Sequence, residues 1–408
     1  GKPDIAFVQN RSHKLVVAQN AGDGSLQLPV MRDTGSYPIA IAQGLFDDDL
    51  LPDLAVVHTG GAQPGVTIYI GQGEGTFKPS STTYRVENSY SVASGDLDGD
   101  GKTDLAAVNF NQNELSVWKG NGDGSFLPTP RYLLGGKGPS GLLIADLNGD
   151  GLNDLTTVNQ LSHDVSVWLG NGTINLGLPQ VYPSGYAPTD IRLGDFDGDG
   201  KVEAILPNWG GYSIVRGTSP TDFSLNSNYG LAGGDEVSGL AVADFNQDGY
   251  SDFALVNATK NRIEIRLGSA GSAIAHAQIS LGVSLTDIAI GDFNGDGKPD
   301  IAVANGSGHE LIVLTDAGDG TYNGQNYSLE ASPLNLALGD YNGDGFEDIA
   351  VAYAGSNRIT LLPGAGDGHF TSVHAFEAEG VPSGIVSADF NGDRIADLAI
   401  TAKSANKV

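Results

Sequence analysis

The sequence predicts an all-β fold, a β-propeller of four-stranded blades, and three observations lead to this expectation. A nine-residue acidic segment returns every 48 to 51 residues along the 408-residue chain. Between its copies, short runs rich in Val, Ile and Leu alternate with Gly, Asn and Pro turns, as strands do. Helical periodicity is absent, and 59 glycines suit turns better than helices. Four-stranded units at this spacing are typical of propeller blades.

The repeat that covers residues 88–134 illustrates the strand order within one unit. A first strand, 91–95, leads into the acidic segment 96–104, and a second strand, 105–108, follows directly. A polar turn separates the second strand from a third at 115–118, and a glycine-rich turn leads to the last strand, 129–133. Complete sets of this kind begin near residues 37, 88, 138, 187, 236, 284 and 332.

The two ends of the chain decide the number of blades. Residues 4–33 supply strands two to four of a further set, and residues 381–388 supply a first strand. Together they would close an eighth blade, so eight blades are favoured and seven are the alternative. Segment 398–401 duplicates 5–8, and only one of the two can lie beside the closing strand. Residues 1–408 are therefore expected to form one propeller domain of about eight repeats of roughly 49 residues.

The acidic segment has the chemistry of a calcium loop. Oxygen-bearing side chains stand at positions 1, 3, 5 and 9, and calcium binds six to eight oxygens at about 2.3–2.6 Å. Glycine at position 6 allows the positive φ that a tight curl needs. A simple turn is the alternative, but it does not require three or four carboxylates that repel one another. An EF-hand needs Glu at position 12, where the loop 292–300 has Val303.

Seven copies carry the full donor set, so about seven calcium sites are expected. The candidate ligands are Asp96, Asp98, Asp100, Asp104, Asp146, Asn148, Asp150, Asp154, Asp195, Asp197, Asp199, Glu203, Asp244, Asn246, Asp248, Asp252, Asp292, Asn294, Asp296, Asp300, Asp340, Asn342, Asp344, Asp348, Asp389, Asn391, Asp393 and Asp397. A further copy, 45–53, has Leu45 in place of the first acid and Leu50 in place of the glycine, so little or no metal is expected there. The copy 389–397 has Arg394 where the glycine belongs.

Composition narrows the class of partner. The net charge of −28 disfavours nucleic acid and anionic membranes, although 23 of the 49 acidic residues are donors of the seven loops. No stretch approaches 18 apolar residues, so no membrane insertion is expected. Cysteine is absent, which excludes disulfides and thiol chemistry and is common in secreted bacterial proteins. Because the chain starts inside a repeat without a signal peptide, we expect a mature or trimmed chain at the cell surface or outside the cell.

The sequence IAIGDFNGDGKPDIAV at 288–303, followed by GDGTY at 318–322, resembles the FG-GAP repeats, also described as integrin α-like or VCBS repeats. The resemblance extends over the whole chain. It implies a calcium loop between the first and second strands of each blade and a first strand that lines the central channel. Members of this family commonly act outside the cell in adhesion, matrix contact or carbohydrate recognition. Integrin α-chains bind partners through the face opposite the calcium loops.

Aromatic residues in turns on that opposite face are the candidates for ligand binding. They are Trp209 and Tyr212 in a glycine-rich turn, and Tyr37, Tyr90 and Tyr186, each just before a first strand. Aromatic rings beside Asn and Asp can stack on the C–H groups of sugars while polar groups bond the hydroxyls. The alternative is that these residues fill contacts between blades.

The pattern favours a secreted calcium-binding propeller that acts as a binding or adhesion module for a glycan or a cell-surface or matrix partner. The protein is expected to be a monomer or a part of a longer surface protein. Two alternatives stay open: a polysaccharide lyase or other carbohydrate-active enzyme, and a purely structural repeat module. No nucleophile elbow, phosphate loop or zinc spacing occurs, and His13, His163 and His309 occupy equivalent turns, so no catalytic residue is assigned.

Overall fold

The computed structural model describes most of the chain as β-strands joined by turns. The described residues are 4–9, 14–19, 30–33, 36–47, 49, 51–60, 64–72, 76–188, 190–219, 222–230, 235–269, 274–318, 321–371, 374–377, 381–388 and 397–403. They form 34 strands, and no helix occurs among them. The same residues accordingly contain no helix that is long and apolar enough to cross a membrane.

The strands form eight sheets, of which seven are blades of four antiparallel strands in chain order. Three N-terminal strands precede them: β1 (Asp4–Gln9), β2 (Lys14–Gln19) and β3 (Val30–Asp33). Blade 1 consists of β4 (Ser36–Gly44), β5 (Asp53–Gly60), β6 (Gly65–Gly71) and β7 (Phe77–Arg85). Blade 2 consists of β8 (Ser89–Gly95), β9 (Asp104–Asn109), β10 (Glu114–Gly120) and an outer strand split into β11 (Phe126–Pro128) and β12 (Tyr132–Leu133). Blade 3 consists of β13 (Pro139–Ala145), β14 (Asp154–Asn159), β15 (Asp164–Trp168) and β16 (Gln180–Pro183).

The remaining blades repeat this order. Blade 4 consists of β17 (Arg192–Gly194), β18 (Glu203–Asn208), β19 (Gly211–Ser219) and β20 (Asp222–Gly230). Blade 5 consists of β21 (Val237–Ala243), β22 (Asp252–Asn257), β23 (Arg262–Leu267) and β24 (Ile274–Ser280). Blade 6 consists of β25 (Leu285–Gly291), β26 (Asp300–Asn305), β27 (Glu310–Asp316) and β28 (Tyr322–Ser328). Blade 7 consists of β29 (Pro333–Gly339), β30 (Asp348–Tyr353), β31 (Arg358–Leu362) and β32 (His374–Glu377). The prediction of an all-β propeller with four-stranded blades is confirmed.

The eighth sheet, which we call the terminal sheet, joins both ends of the chain. It adds β33 (Val381–Ala388) and β34 (Asp397–Lys403) to the N-terminal strands in the order β3-β2-β1-β34-β33. Segment 398–401 lies beside the closing strand β33, and its duplicate 5–8 pairs in parallel with the other edge of β34. Because β33 contacts β29 and because β34 and β1 contact β4, the terminal sheet lies between blade 7 and blade 1.

The hydrophobic core lies between neighbouring blades and anchors the acidic loops. The second strands β9, β14, β18, β22, β26 and β30 are buried along their whole length. The side chain at position 2 of every described loop is also buried; these residues are Phe46, Leu97, Leu147, Phe196, Phe245, Phe293 and Tyr341. Leu97, for example, belongs to a cluster with Trp168 of the next blade. Burial of one such side chain stabilises the fold by about 1.5–3 kcal/mol and fixes the loop beside the interface.

Candidate functional site

The acidic loops connect the first and second strands of each blade, and six of the seven complete copies are described in full. In the loop 96–104, the Asp96 carboxylate at position 1 accepts hydrogen bonds from the N–H groups of Gly99 at 2.7 Å and Gly101 at 2.8 Å. Gly101 has a φ of +81°, as the curl requires. The position-1 carboxylate caps its own loop in the same way in four of the other described copies. In the loop 244–252, Asp244 accepts the N–H groups of Asp248 at 3.1 Å and Gly249 at 2.9 Å. Asp389, Asn391 and Asp393 lie outside the described residues, as does the side chain of Asp397.

The acid at position 9 is buried and fastens the loop to the third strand. In Asp104, one carboxylate oxygen accepts the N–H of Leu97 and the other accepts the N–H of Gly120, both at 2.8 Å. Four other loops repeat both bonds, at Asp154, Asp252, Asp300 and Asp348. Burial raises the pKa to about 6 for Asp104, Asp154, Asp252 and Asp300, and to about 7 for Asp348 and Glu203. This carboxylate therefore has a structural role as well as a predicted ligand role.

Two of the described loops bring several carboxylates to one point. Ligand oxygens of Asp96, Asp98 and Asp104 lie within 4.8 Å of one another, and so do those of Asp195, Asp197, Asp199 and Glu203. The Asp98 side chain is only 9% exposed, and its Oδ1 has no hydrogen-bond partner in the described part of the chain. A buried carboxylate oxygen is costly without a compensating partner. Donor sets made only of oxygen suit calcium, so the residues present fit this ion.

The loop 45–53 shows which features survive without a position-1 acid. Asp53 is buried and accepts the N–H groups of Phe46 at 2.6 Å and Gly71 at 2.7 Å, as position 9 does elsewhere. Position 1 is the exposed Leu45, which cannot cap the loop. The hydrogen bonds that join the position-9 acid to the loop and to the third strand thus do not depend on the predicted metal.

Six of the seven blades also have a buried Asn or His at the far end of the second strand, five residues after position 9, which sequence reasoning missed. It is Asn109, Asn159, Asn208, Asn257 or Asn305 in five blades. Asn109 Oδ1 accepts the N–H groups of Asn111 at 3.0 Å and Gln112 at 2.9 Å, so it caps the turn to the third strand. The constant register relative to the acidic loop is the signal that could have found it.

Blade 1 has His58 at this position, which makes its stability sensitive to pH. The ring is buried, its Nε2 lies 3.0 Å from Thr67 Oγ1, and burial lowers the pKa of His58 below its ordinary value of 6.5. The unfolded chain therefore binds a proton more readily, and the contribution of His58 is complete above pH 6.5 and lost as pH falls through the lowered pKa. We expect His58→Asn to lose less stability between pH 7.5 and pH 5.5 than the wild type in urea denaturation. An equal loss in both proteins would contradict this prediction.

Trp209 and Tyr186 meet at the opposite end of blade 4 from its acidic loop. Trp209 donates its backbone N–H to the Tyr186 carbonyl at 2.7 Å, and the two rings are 6.1 Å apart at an angle of 76°. Their exposed fractions are 57% and 59%. His163 of blade 3 packs on Tyr186 with ring centroids 4.2 Å apart. Since β18 separates the two ends by six residues, the rings lie about 17 Å or more from the loop.

These rings border a cavity of about 370 Å³ between neighbouring blades. Its polar lining includes Gln160, Asn208 and the exposed Glu236, and its apolar lining includes Leu161. Pockets for small ligands are typically about 300–1,000 Å³ and combine aromatic walls with a few polar groups. The cavity therefore has the size and lining of a ligand site.

The five predicted ligand-binding residues do not form one site. Tyr212 is only 2% exposed, and its ring centroid lies 4.9 Å from that of Phe253, so the structure places this side chain in the core rather than at the surface. It belongs to β19, which pairs with β18 directly after a turn that consists of Trp209 and Gly210. Tyr37 and Tyr90 are exposed, but they lie within the first strands β4 and β8 rather than before them, and they do not border this cavity.

Comparison with known proteins places the repeats in a family. A model of the FG-GAP-like repeat matches residues 46–107, 96–157, 146–206, 195–255, 244–303, 292–351 and 340–400. No curated protein sequence matches the chain.

Solved structures share the architecture at low sequence identity. An Agrocybe aegerita lectin that recognises non-reducing terminal N-acetylglucosamine is 17% identical with a TM-score of 0.53, and the match covers 98% of this chain and 95% of the lectin. The dihydro-heme d1 dehydrogenase NirN is 11% identical with a TM-score of 0.65, covering 96% and 75%. A putative 6-phosphogluconolactonase from Bacteroides fragilis is 17% identical with a TM-score of 0.54, covering 86% and 98%. At these identities the likeness shows the fold alone.

Proposed function

This chain belongs to the FG-GAP-like repeat family, and we propose that its propeller is a calcium-stabilised module that binds a glycan in the cavity beside Tyr186 and Trp209. The observation that carries the proposal is the pair of half-exposed, nearly perpendicular rings on one cavity. One ring can stack on the C–H face of a sugar while the other borders its edge.

The lining and the charge of the protein narrow the class of glycan. Asn208, Gln160 and Glu236 offer both donors and acceptors to hydroxyl groups, while the aromatic rings supply apolar contact. The net charge of −28 and the carboxylate of Glu236 would repel an acidic polysaccharide. The proposed ligand is therefore a neutral glycan or an amino sugar, and the N-acetylglucosamine recognised by the structurally similar lectin belongs to the neutral class.

Calcium has a separate role in this proposal. In the loop 96–104, the side-chain oxygens of Asp96, Asp98, Asp100 and Asp104 would hold the ion, and equivalent residues would hold it in the other complete copies. Bound calcium supplies positive charge that neutralises the clustered carboxylates. Because the loops lie at the opposite ends of the second strands from the cavity, the ion would stabilise the blades without contacting the glycan. An extracellular or cell-surface location, where calcium is abundant, is part of the same proposal.

Trp209→Ala is expected to weaken glycan binding at least about tenfold, since aromatic residues at the centre of a site commonly contribute about 2 kcal/mol or more. The measurement is binding to a glycan array that holds neutral, amino and acidic sugars, followed by calorimetry with the best ligand, all in calcium. Tyr90→Ala is the matched control, because Tyr90 is similarly exposed but lies outside the cavity. Equal binding by Trp209→Ala and the wild type would exclude this cavity, and a preference for acidic sugars would overturn the proposed ligand class.

A further inference from the structure

Two of the six fully described loops have Asp rather than Asn at position 3, and these two face a cation from the third strand of their own blade. Lys119 of β10 contacts Asp98, and Arg216 of β19 lies 2.8 Å from Asp197. The other four loops have Asn148, Asn246, Asn294 and Asn342 at position 3. The uncharged residues Leu169, Leu267, Thr315 and Pro363 occupy the place of Lys119, in or directly after the third strand. An additional acid is thus always accompanied by an additional base in these six loops.

The pairing gives the donor positions 1, 3, 5 and 9 of every one of these loops the same net charge. Four carboxylates and the third-strand cation sum to three negative charges at 96–104 and at 195–203. Three carboxylates with one neutral amide also sum to three negative charges at the donor positions of the other loops. The charge of the ligands is one of the two main determinants of calcium affinity, the other being the rigidity of the site.

In the loop 96–104, Lys119 also takes the place of the hydrogen-bond donor that the Asn side chain provides at position 3 of other loops. In two of the four Asn loops, the position-3 amide donates to the position-5 carboxylate: Asn148 donates to Asp150 Oδ2 at 3.1 Å, and Asn246 donates to Asp248 Oδ2 at 2.9 Å. An ionised Asp has no such donor. In the loop 96–104, Lys119 Nζ donates to Oδ2 of Asp98 and, at 2.7 Å, to Oδ2 of Asp100. The position-5 carboxylate is therefore held by an amide in the loops 146–154 and 244–252, and by an ammonium group in the loop 96–104.

We propose that Lys119 and Arg216 are positioning residues that adapt the two Asp-containing loops to calcium. Each cation holds one oxygen of the position-3 carboxylate and leaves the other for the ion. In Asp98 the remaining oxygen is Oδ1, which is buried and has no hydrogen-bond partner within the described ranges. The inference rests on the calcium binding proposed above and assigns to these two basic residues a role in setting the affinity of their loops.

Without Lys119, the four donor carboxylates of the loop 96–104 would lose the cation that contacts Asp98 and Asp100. In EDTA these carboxylates repel one another, so Lys119→Leu should lower the melting temperature. Calcium neutralises the repulsion and binds more strongly to the additional charge, so the rise in melting temperature on adding calcium should be larger than in the wild type. The double variant Lys119→Leu/Asp98→Asn has the pair found naturally at Leu169 and Asn148, and both quantities should return to their wild-type values.

The test is a double-mutant cycle of Lys119→Leu and Asp98→Asn, melted in EDTA and in calcium. We expect Lys119→Leu to lower the melting temperature in EDTA by about 1–2 °C and the double variant to lie within about 0.5 °C of the wild type, because paired charges couple by about 0.5–3 kcal/mol. The matched control transfers the pair to the loop 146–154: Asn148→Asp alone should behave like Lys119→Leu, and Asn148→Asp/Leu169→Lys should be silent.

The outcomes separate this inference from the proposed function. Additive effects in the cycle, with a normal calcium response of the wild type, would overturn the inference alone. A coupled cycle in EDTA with an unchanged calcium-induced rise in Lys119→Leu would make Lys119 a structural ion-pair partner and would also overturn it. A wild-type protein whose melting temperature does not respond to calcium would overturn the calcium sites and this inference together.

Discussion

Removal of calcium with EDTA is expected to lower the melting temperature of the protein by about 10 °C. If one loop binds at roughly 0.1 mM, calcium at about 1 mM stabilises the folded state by about 1.4 kcal/mol per site. Seven such loops would contribute about 10 kcal/mol, which is comparable with the whole stability of an ordinary domain. The shift in temperature follows from an unfolding entropy of about 2.1 cal/mol/K per residue over this chain. The measurement is a thermal melt by circular dichroism with EDTA and with calcium.

Adding calcium back should restore the melting temperature, and magnesium should restore much less of it, because magnesium prefers a stricter geometry and keeps its water. Asp47→Asn is a suitable control, since this residue belongs to the loop 45–53 without a position-1 acid and should leave the calcium response unchanged. A melting temperature that is unaffected by EDTA, in protein shown by metal analysis to be free of calcium, would contradict the proposed role.

The second large effect is expected from the buried acid at position 9, with or without calcium. Asp154→Ala removes the acceptor for the N–H groups of Leu147 at 2.9 Å and Gly170 at 2.8 Å. Each buried N–H group without a partner costs about 1–3 kcal/mol, so we expect a loss of about 2–6 kcal/mol. Urea denaturation in EDTA measures the structural part alone.

Asp150→Asn in the same loop is the matched comparison for Asp154→Ala. Asp150 is exposed and is a candidate metal ligand, but it does not bond the third strand. Its substitution should reduce the calcium-induced stabilisation and have little effect in EDTA. If Asp154→Ala also mattered only in calcium, position 9 would be a metal ligand without the structural role that its two backbone bonds indicate.

The period of the acidic loop was sufficient to predict the propeller, but the length of individual turns was not visible in the sequence. The sequence predicts Trp209 and Tyr212 in one glycine-rich turn, because Gly210 and Gly211 lie between them. In the structure Asn208 pairs with Gly211, and Gly210, with a φ of +106°, allows a turn of two residues. Tyr212 therefore enters β19 and becomes buried. Strand register, rather than composition, decided which aromatic residue reached the surface.

The tight curl of the acidic loops was also predictable, because glycine at position 6 allows the positive φ that the curl needs. The different roles of the acids within one loop were not. The two backbone bonds of Asp104 depend on the third strand, whose Gly120 is 16 residues away. The contact of Asp98 with Lys119 spans 21 residues and needs the register of β10 against the loop. Such contacts form only once the blade has folded, so the local sequence does not reveal them.

The parallel pairing of β1 with β34 has a consequence for the order of events during synthesis on the ribosome. Translation at about 5–20 residues per second separates Gln9 from Asp397 by roughly 20–80 s. Throughout that time, one edge of β1 exposes N–H and C=O groups that its final neighbour has yet to cover, and an uncovered edge can recruit strands from other chains. Blades 1 to 7 can form in the order in which they emerge, because each consists of consecutive strands. The propeller thus remains open until its last strands are synthesised. We expect chaperones to bind the nascent chain mainly at the unpaired edge of β1, where β34 pairs later.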